Sequence, residues 1–496
     1  MRISIRLISL LLVLSFLTSS LVACAGANGG EAGSETPSNK TGDITSEIDS
    51  QIESEYIPDV EKKNYDADFY FLVHPSSNTL KYHWVEESDN EIMSEAVYTR
   101  QQKIHEYLGV DIYASLTETT NLYVEPFRTA VKNKDGSVDG LLSHVYFGID
   151  SFISGGYLAD LGSYPQFNLD ADYWNLRFME NLAIDGRMYL GKSDFNILWT
   201  YVVTFNKEMY DKYSDAIGGS LYEMVDNFTW TFDKLISIAN LVYIDQYSDG
   251  QTIDDTFGIT GCHDIAFCGM LHAANINIIS ENEQGEYTLS LYNDVNKEKT
   301  LDLIKKINDL AKSDSAWFWR FRSEDTVDFE DGRSLFALSN TCEQLVAYTD
   351  NGINFGVLPY PMYDENQKDV GYRSLQWGGF LCIPSYVADP DMVGDTVEML
   401  SFYSEDVNEA YYDRLLGKQS ADTPDDRRML KIVWDGICSE FAQAYYSVVI
   451  ESRILYVMPD LTYESVEPSL ASYMAMWTNT VNRKVSKFLS IVRKKQ

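Results

Sequence analysis

Carboxylates and aromatic rings dominate the chemistry open to this chain, and their number and spacing limit what they can do. There are 75 Asp and Glu against 39 Lys and Arg, a formal charge of -36. Paired carboxylates do general acid and base work. At this density such pairs arise by chance, and no G-x-S-x-G, H-E-x-x-H or P-loop pattern organises a nucleophile, a zinc ion or a phosphate. The acidic balance excludes nucleic acid as a partner, because neutralising phosphates needs a basic face. The 34 Tyr, 23 Phe and 9 Trp suit a groove that covers the apolar faces of a polar solute, although most such rings serve as core. Besides Cys24 there are Cys262, Cys268, Cys342, Cys382 and Cys438. Five is odd, so they cannot all pair. Thiols are the default, with a small loop closed by Cys262 and Cys268 as the alternative. With six His, the spacings match no common metal pattern, and no cofactor is expected.

Particular rings and carboxylates stand where a ligand would be met. The apolar run Leu141 to Phe147 reads as a buried strand. Ligands of open α/β sheets bind beyond the carboxyl ends of strands, which puts Phe147 and Asp150 at such a place; alternatively Asp150 only caps a helix starting at Ser151. Trp199 opens an extended run to Phe205. Trp377 precedes Gly378 and Gly379, whose missing side chains allow close approach. Either tryptophan has a core alternative. Trp317, Phe318, Trp319 and Phe321 form a dense aromatic cluster that reads first as packing.

The elements needed to hold these residues alternate. Strands are expected at Ala67 to His74 and Val110 to Ala114, and helices at Met93 to Leu108, stopped by Gly109, and at Thr120 to Val131. This alternation argues for an α/β fold with a mostly parallel sheet. Asn206 is expected to start a helix, and Thr229 or Thr231 to cap the one after it. Gly258 to Leu271 reads as a strand-like turn followed by a small-residue helix. A short strand is expected at Leu289 to Leu291 and a helix at Asn296 to Ala311. Strands follow at Leu335 to Leu338 and Phe355 to Leu358. Long amphipathic helices are expected at Met429 to Ile450 and Leu470 to Ile491, with a solvated basic end.

The N-terminus is of another kind. Arg2 and Arg6 precede an apolar run from Leu7 to Leu17, then Leu21, Val22, Ala23 and Cys24, a secretion signal too short for an ordinary spanning helix. The small residues before Cys24 resemble a bacterial lipobox, which implies cleavage before Cys24 and lipidation of it; the alternative is a plain signal cut near Ala23. Residues from Ala25 to about Lys63 are rich in Gly, Ser, Thr and acidic side chains and read as a flexible spacer.

Several short elements recur in a set order: Asp150 with GYLADL over 156–161, VVTFNK over 202–207, TWTFDKL over 229–235, FEDGRSLF over 329–336, PYP over 359–361 and WGG over 377–379. In this order and spacing, residues 66–496 resemble the extracellular solute-binding proteins of ABC importers, in the group that includes maltose-binding protein. The resemblance implies a two-lobed periplasmic-binding-protein-like fold (type II), with a cleft between α/β lobes and C-terminal helices. One lobe would hold 66–202 and 334–403, the other 203–333 and 404–496. It implies ligand contacts at Phe147, Asp150 and Trp199, with Trp377 in the loop lining the cleft. The family's stacking tryptophan after the strand is replaced here by Asn340-Thr-Cys342. That brings Asn340 into the candidate set and leaves the stacking ring open among Trp199, Trp230, Trp319 and Trp377.

The implied function is capture of a small-molecule solute, a carbohydrate by preference, by a monomer. The lipid on Cys24 would anchor it to the outer face of a bacterial cytoplasmic membrane, and it would deliver the solute to the transmembrane subunits of an ABC permease. No enzymatic activity is expected. The competing classes are a surface adhesin or sensor partner on the same fold, separated by a neighbouring permease gene pair, and a secreted carbohydrate-active hydrolase, separated by turnover of a polymer.

Overall fold

The computed structural model describes residues 58–73, 80–116, 123–144, 148–197, 199–291, 293–319, 324–377, 379–417, 424–439, 441–445 and 466–495. Cys24, most of the spacer and Phe147 lie outside these residues. The described body is built on two mixed sheets with helices packed against them.

In the smaller sheet, β1 (Ala67–Val73) runs parallel to β2 (Val110–Leu116) on one side and to β3 (Gly140–Ser143) on the other. Between them come α1 (Ile92–Leu108) and α2 (Val124–Asn133). Met93, Val97, Ile104 and Leu108 recur at helical spacing, so α1 buries one face. It ends at Gly109, whose N–H still donates to the His105 carbonyl while its φ of 63° turns the following chain out of the helix; a Cβ there would strike Asn64. After β3 come α3 (Ile149–Gly155) and α4 (Leu176–Asn181).

The larger sheet starts with β4 (Trp199–Asn206). Asn206 caps α5 (Lys207–Ile217), its side chain accepting from the Met209 N–H. Ser220 does the same for α6 (Leu221–Asp226). Of the two threonines expected to cap α7 (Phe232–Ala239), Thr231 does so, accepting from the Lys234 N–H. The chain continues through β5 (Tyr243–Ile244), β6 (Thr256–Cys262), α8 (His263–Ala273), a hairpin of β7 (Ile279–Glu281) and β8 (Tyr287–Leu289), α9 (Lys297–Ala311), β9 (Ala316–Trp319), β10 (Ser334–Thr341), α10 (Cys342–Asp350), β11 (Phe355–Leu358) and β12 (Gln376–Trp377). The sheet order is β11-β4-β10-β6-β5, with β12 paired to β4 and β9 to β6. The chain then returns to the smaller sheet, where β13 (Phe380–Cys382) lies antiparallel to β3. The segment 334–403 is thus divided: β10, β11 and β12 belong to the larger sheet, β13 to the smaller.

The tail comprises α11 (Pro390–Phe402), α12 (Glu405–Leu416), α13 (Pro424–Asp435), α14 (Phe441–Ala444) and α15 (Val466–Lys495). The single helix expected from Met429 to Ile450 is not formed. It breaks at Gly436, whose carbonyl accepts from the Ser374 N–H, and Ile437 forms a bridge with Ser374. The basic end is exposed as expected, with Arg493 making a two-pronged pair with Asp185.

One large buried cluster runs through both sheets. A second, including Val97, Leu345, Tyr411, Leu415 and Val433, packs α1, α10, α12 and α13 together. Asp426 is fully buried and accepts from Lys207 Nζ at 2.6 Å, Tyr222 Oη at 2.7 Å and the Val357 N–H at 2.9 Å. Its charge is compensated by three donors, which is what a buried carboxylate requires. No described helix is long and apolar enough to cross a membrane.

Candidate functional site

The site follows from where the parallel strands end. β6, β9 and β10 are mutually aligned, so Cys262, Trp319 and Thr341 stand at one edge of the larger sheet. β4 is antiparallel to β10, with Tyr201 opposite Thr341, so its first residue, Trp199, lies at that same edge. Trp377 is paired directly with Trp199. In the smaller sheet β1, β2 and β3 end at Val73, Leu116 and Ser143, and Phe380 pairs with Ser143. Trp377 and Phe380 are three residues apart, and an extended chain advances at most about 3.6 Å per residue. The carboxyl ends of the two sheets are therefore within about 11 Å of one another at this crossing. That edge is where open α/β sheets bind ligands.

Asn196 pins the crossing. It is fully buried, and its Nδ2 donates to the Gly379 carbonyl at 2.7 Å and the Gly191 carbonyl at 3.1 Å, while its Oδ1 accepts from the Ser193 N–H at 2.7 Å. Gly379 has a φ of 69°, a conformation that favours glycine. Beside the crossing, the fully buried amide of Gln376 has neither its nitrogen nor its oxygen hydrogen-bonded.

At the strand ends of the larger sheet lies a cavity of about 650 Å³, within the usual range for small-molecule sites. Trp319, half-buried, supplies an aromatic wall, and Thr341, Gln344, Asn340 and Tyr348 supply hydrogen-bonding groups. Asp328 and Glu330 also reach it. Burial first, and the Glu330 charge after it, hold the Tyr348 phenol well above its ordinary pKa despite the opposing hydrogen bond with Asn340. It is a neutral hydroxyl at any physiological pH. The wall is shaped by a break in β10. The register with β4 shifts between Ala337 and Asn340, and Ser339 takes a φ of 78°. Two hydrogen bonds hold it: its Oγ accepts from the Cys262 N–H at 2.9 Å, and its N–H donates to Tyr360 Oη at 3.0 Å. Bulges of this kind re-aim side chains next to functional sites.

The residues singled out from the sequence fall in different places. Trp199 and Trp377 come together as a backbone pair at the site edge. Asn340 is on the cavity wall, mostly buried, with its Nδ2 donating to Thr204 Oγ1 at 2.6 Å. Asp150 is half-buried on α3, beyond the carboxyl end of β3. It does not cap that helix: Gly148 is the N-cap, and Asp150 sits within the first turn. Trp230 must be corrected. It has no exposed surface, its indole N–H donates to the Pro359 carbonyl at 2.9 Å, and its ring lies 5.7 Å from Phe336. No face is left for a ligand, so it is a core residue. Phe147 lies outside the described residues. Among the described residues of the aromatic cluster, Trp317 and Phe318 pack on Phe257 and Phe267 as expected, while Trp319 reaches the cavity; Phe321 lies outside the described residues. Cys262 and Cys268 are not joined by a disulfide. Among the described residues no cluster of His, Cys, Asp and Glu could hold a metal ion.

Comparison with known proteins places this geometry. No protein-family model matches the sequence, and no curated protein does. Solved structures do match in fold. The cyclic α-maltosyl-1,6-maltose binding protein of Arthrobacter globiformis aligns over 85% of this chain and 99% of its own, with TM-score 0.57 and 13% identity. A cyclo/maltodextrin-binding protein complexed with maltotetraose aligns over 89% and 98%, with TM-score 0.52 and 12% identity. An ABC transporter solute-binding protein from Thermotoga lettingae, bound with α-D-tagatose, aligns over 84% and 100%, with TM-score 0.51 and 15% identity. The chain has the two-lobed α/β fold of periplasmic binding proteins. At these identities the likeness is one of fold; the solutes belong to those proteins.

Proposed function

We propose that the chain is the solute-binding receptor of an ABC importer and that its solute is a carbohydrate of oligosaccharide size. The observation that carries this reading is the strand-end cavity walled by Trp319 and by amide and hydroxyl groups. A half-buried indole covers the apolar face of a sugar ring, while Asn, Gln, Thr and Tyr side chains exchange hydrogen bonds with its hydroxyls. The fold shared with sugar-binding structures supports the same solute class. Trp199 and Trp377, paired through their backbones at the same edge of the sheet, and Asp150 from the other lobe are the further contacts proposed. The solute binds both lobes better than either alone, so it shifts an open–closed equilibrium about the crossing at Gly379. Lipid on Cys24 holds the receptor at the outer face of the cytoplasmic membrane of a bacterium. It works as a monomer, without a cofactor and without catalysis, and hands the solute to the permease.

The test is a melting-temperature screen of residues 66–496 against oligosaccharides and peptides. A ligand at a hundred times its Kd stabilises the folded state by about 2.7 kcal/mol. An oligosaccharide that raises Tm without being hydrolysed is the expected result. A shift produced by peptides alone would overturn the solute class, and hydrolysis of the sugar would overturn the receptor.

A further inference from the structure

A second cavity, of about 430 Å³, is lined by residues of α4, the loop after α8, the β7–β8 hairpin and the segment around Cys438. It shares no lining residue with the strand-end cavity. On its wall Cys438 is only partly buried, and two nitrogen-bearing side chains converge on its sulfur. His272 Nε2 lies 3.1 Å from Sγ and Arg373 Nε 3.2 Å from it. Arg373 is itself steadied by its Nη1 donating to Asn275 Oδ1. The backbone is fixed as well: the Cys438 N–H donates to the Ser374 carbonyl at 3.3 Å. Arg373 Nε–H can only donate, and His272 Nε2 joins it in the tautomer that carries the proton there; donors aimed at one sulfur suit a thiolate acceptor, since a neutral thiol accepts only weakly. Burial disfavours the charged form, but the neighbouring His272 and Arg373 outweigh it and bring the thiol down to about 6. The other charged groups on the cavity wall are Arg177, Glu180, Glu281 and Asp435, of both signs. By contrast Cys262, Cys342 and Cys382 are buried, and burial pushes the Cys382 thiol up to about 12.

We propose that Cys438 is a thiol-modification site that takes a small disulfide from this cavity. The Cys438 thiolate attacks one sulfur of the disulfide, an S–S bond forms between them, and the reagent's own S–S bond breaks. Its second sulfur leaves with the electron pair as a thiolate, so Cys438 is oxidised and the disulfide reduced with no other reactant. His272 and Arg373 act by holding the sulfur charged at neutral and mildly acidic pH.

The test uses the full chain and cystamine at pH 6, with mass spectrometry of the intact protein and its peptides. A thiol of ordinary pKa is almost wholly protonated there. The gain in thiolate fraction, offset by the lower nucleophilicity of a more acidic thiol, leaves an advantage on the order of tenfold. We expect the Cys438 peptide to carry the mixed disulfide first, roughly tenfold faster than cysteines of the urea-unfolded chain, with a rate that levels off above about pH 7. His272→Gln and Arg373→Gln should each slow that reaction while the melting curve shows a folded protein. Labelling of Cys438 no faster than in the unfolded chain would overturn the proposal, as would first labelling at Cys268 or a rate in both variants equal to the wild type.

Discussion

Replacing Trp230 with alanine separates a core tryptophan from a binding one. The side chain is wholly enclosed, packs on Phe336 and donates to the Pro359 carbonyl at 2.9 Å. Truncation opens a cavity, for which Trp→Ala changes cost about 3–5 kcal/mol. It also orphans a buried carbonyl, worth about 1 kcal/mol or more. For a cooperative unit of 150–250 residues each kcal/mol moves Tm by about 2–4 °C, so the combined loss of about 4–6 kcal/mol should lower Tm by about 8–24 °C. Trp230→Phe keeps most of the packing and should lose only a part of this. The assay is thermal unfolding beside calorimetric titration of the bound sugar at a temperature where the variant is folded. Stability should fall and the Kd should stay within a few-fold. An unchanged Tm with lost affinity would refute the burial argument and return Trp230 to the site.

Trp319→Ala should weaken sugar binding by about 1–3 kcal/mol, as a hot-spot ring does, with little change in Tm; titration and melting of the same sample decide it. Asn196→Ala removes three buried hydrogen bonds at the crossing, so the protein should lose about 2–3 kcal/mol of stability in urea unfolding, and full stability would contradict its pinning role. Burial pushes the Asp139 carboxyl up to about 6, against the opposing hydrogen bond from the Tyr70 N–H. The folded state then holds a proton that the unfolded chain, with its ordinary carboxyl near 4, has already released. That contribution is full below pH 4 and is lost as pH rises through 6, on the order of 3 kcal/mol. Asp139→Asn should remove this slope from the pH dependence of urea unfolding, and an identical slope in both proteins would contradict it.

Local chemistry made much of the fold legible. Gly109 ends α1, Asn206 caps α5 and Thr231 caps α7 because such signals depend on a few neighbouring residues. The ordered series from Gly156 to Gly379 similarly carried the fold, since each piece marks a turn or strand end. Burial is a property of the whole chain, and nothing in the TWTF stretch distinguishes a ring under Pro359 from one in a cleft. The helix after β3 starts earlier than its apolar spacing suggests, because Gly148 can take a φ of 88° at the N-cap and leaves Asp150 inside the turn. The bulge at Ser339 was equally hidden. It rests on bonds to Cys262 and Tyr360, distant in sequence, although the switch from Leu335–Leu338 to Ser339-Asn-Thr341 marks where an apolar strand turns polar. The break at Gly436 depends on Ser374, sixty-two residues earlier, and no helical periodicity could reveal it.

If the proposed receptor works by closure, a sugar bound at the strand ends draws the two lobes together. Small-angle X-ray scattering of residues 66–496, recorded with and without a saturating oligosaccharide identified by the melting screen, tests it most directly. The radius of gyration should be smaller in the bound sample and should return to its unbound value when the sugar is dialysed away. A profile unchanged by a sugar that calorimetry shows to be bound would contradict closure between the lobes.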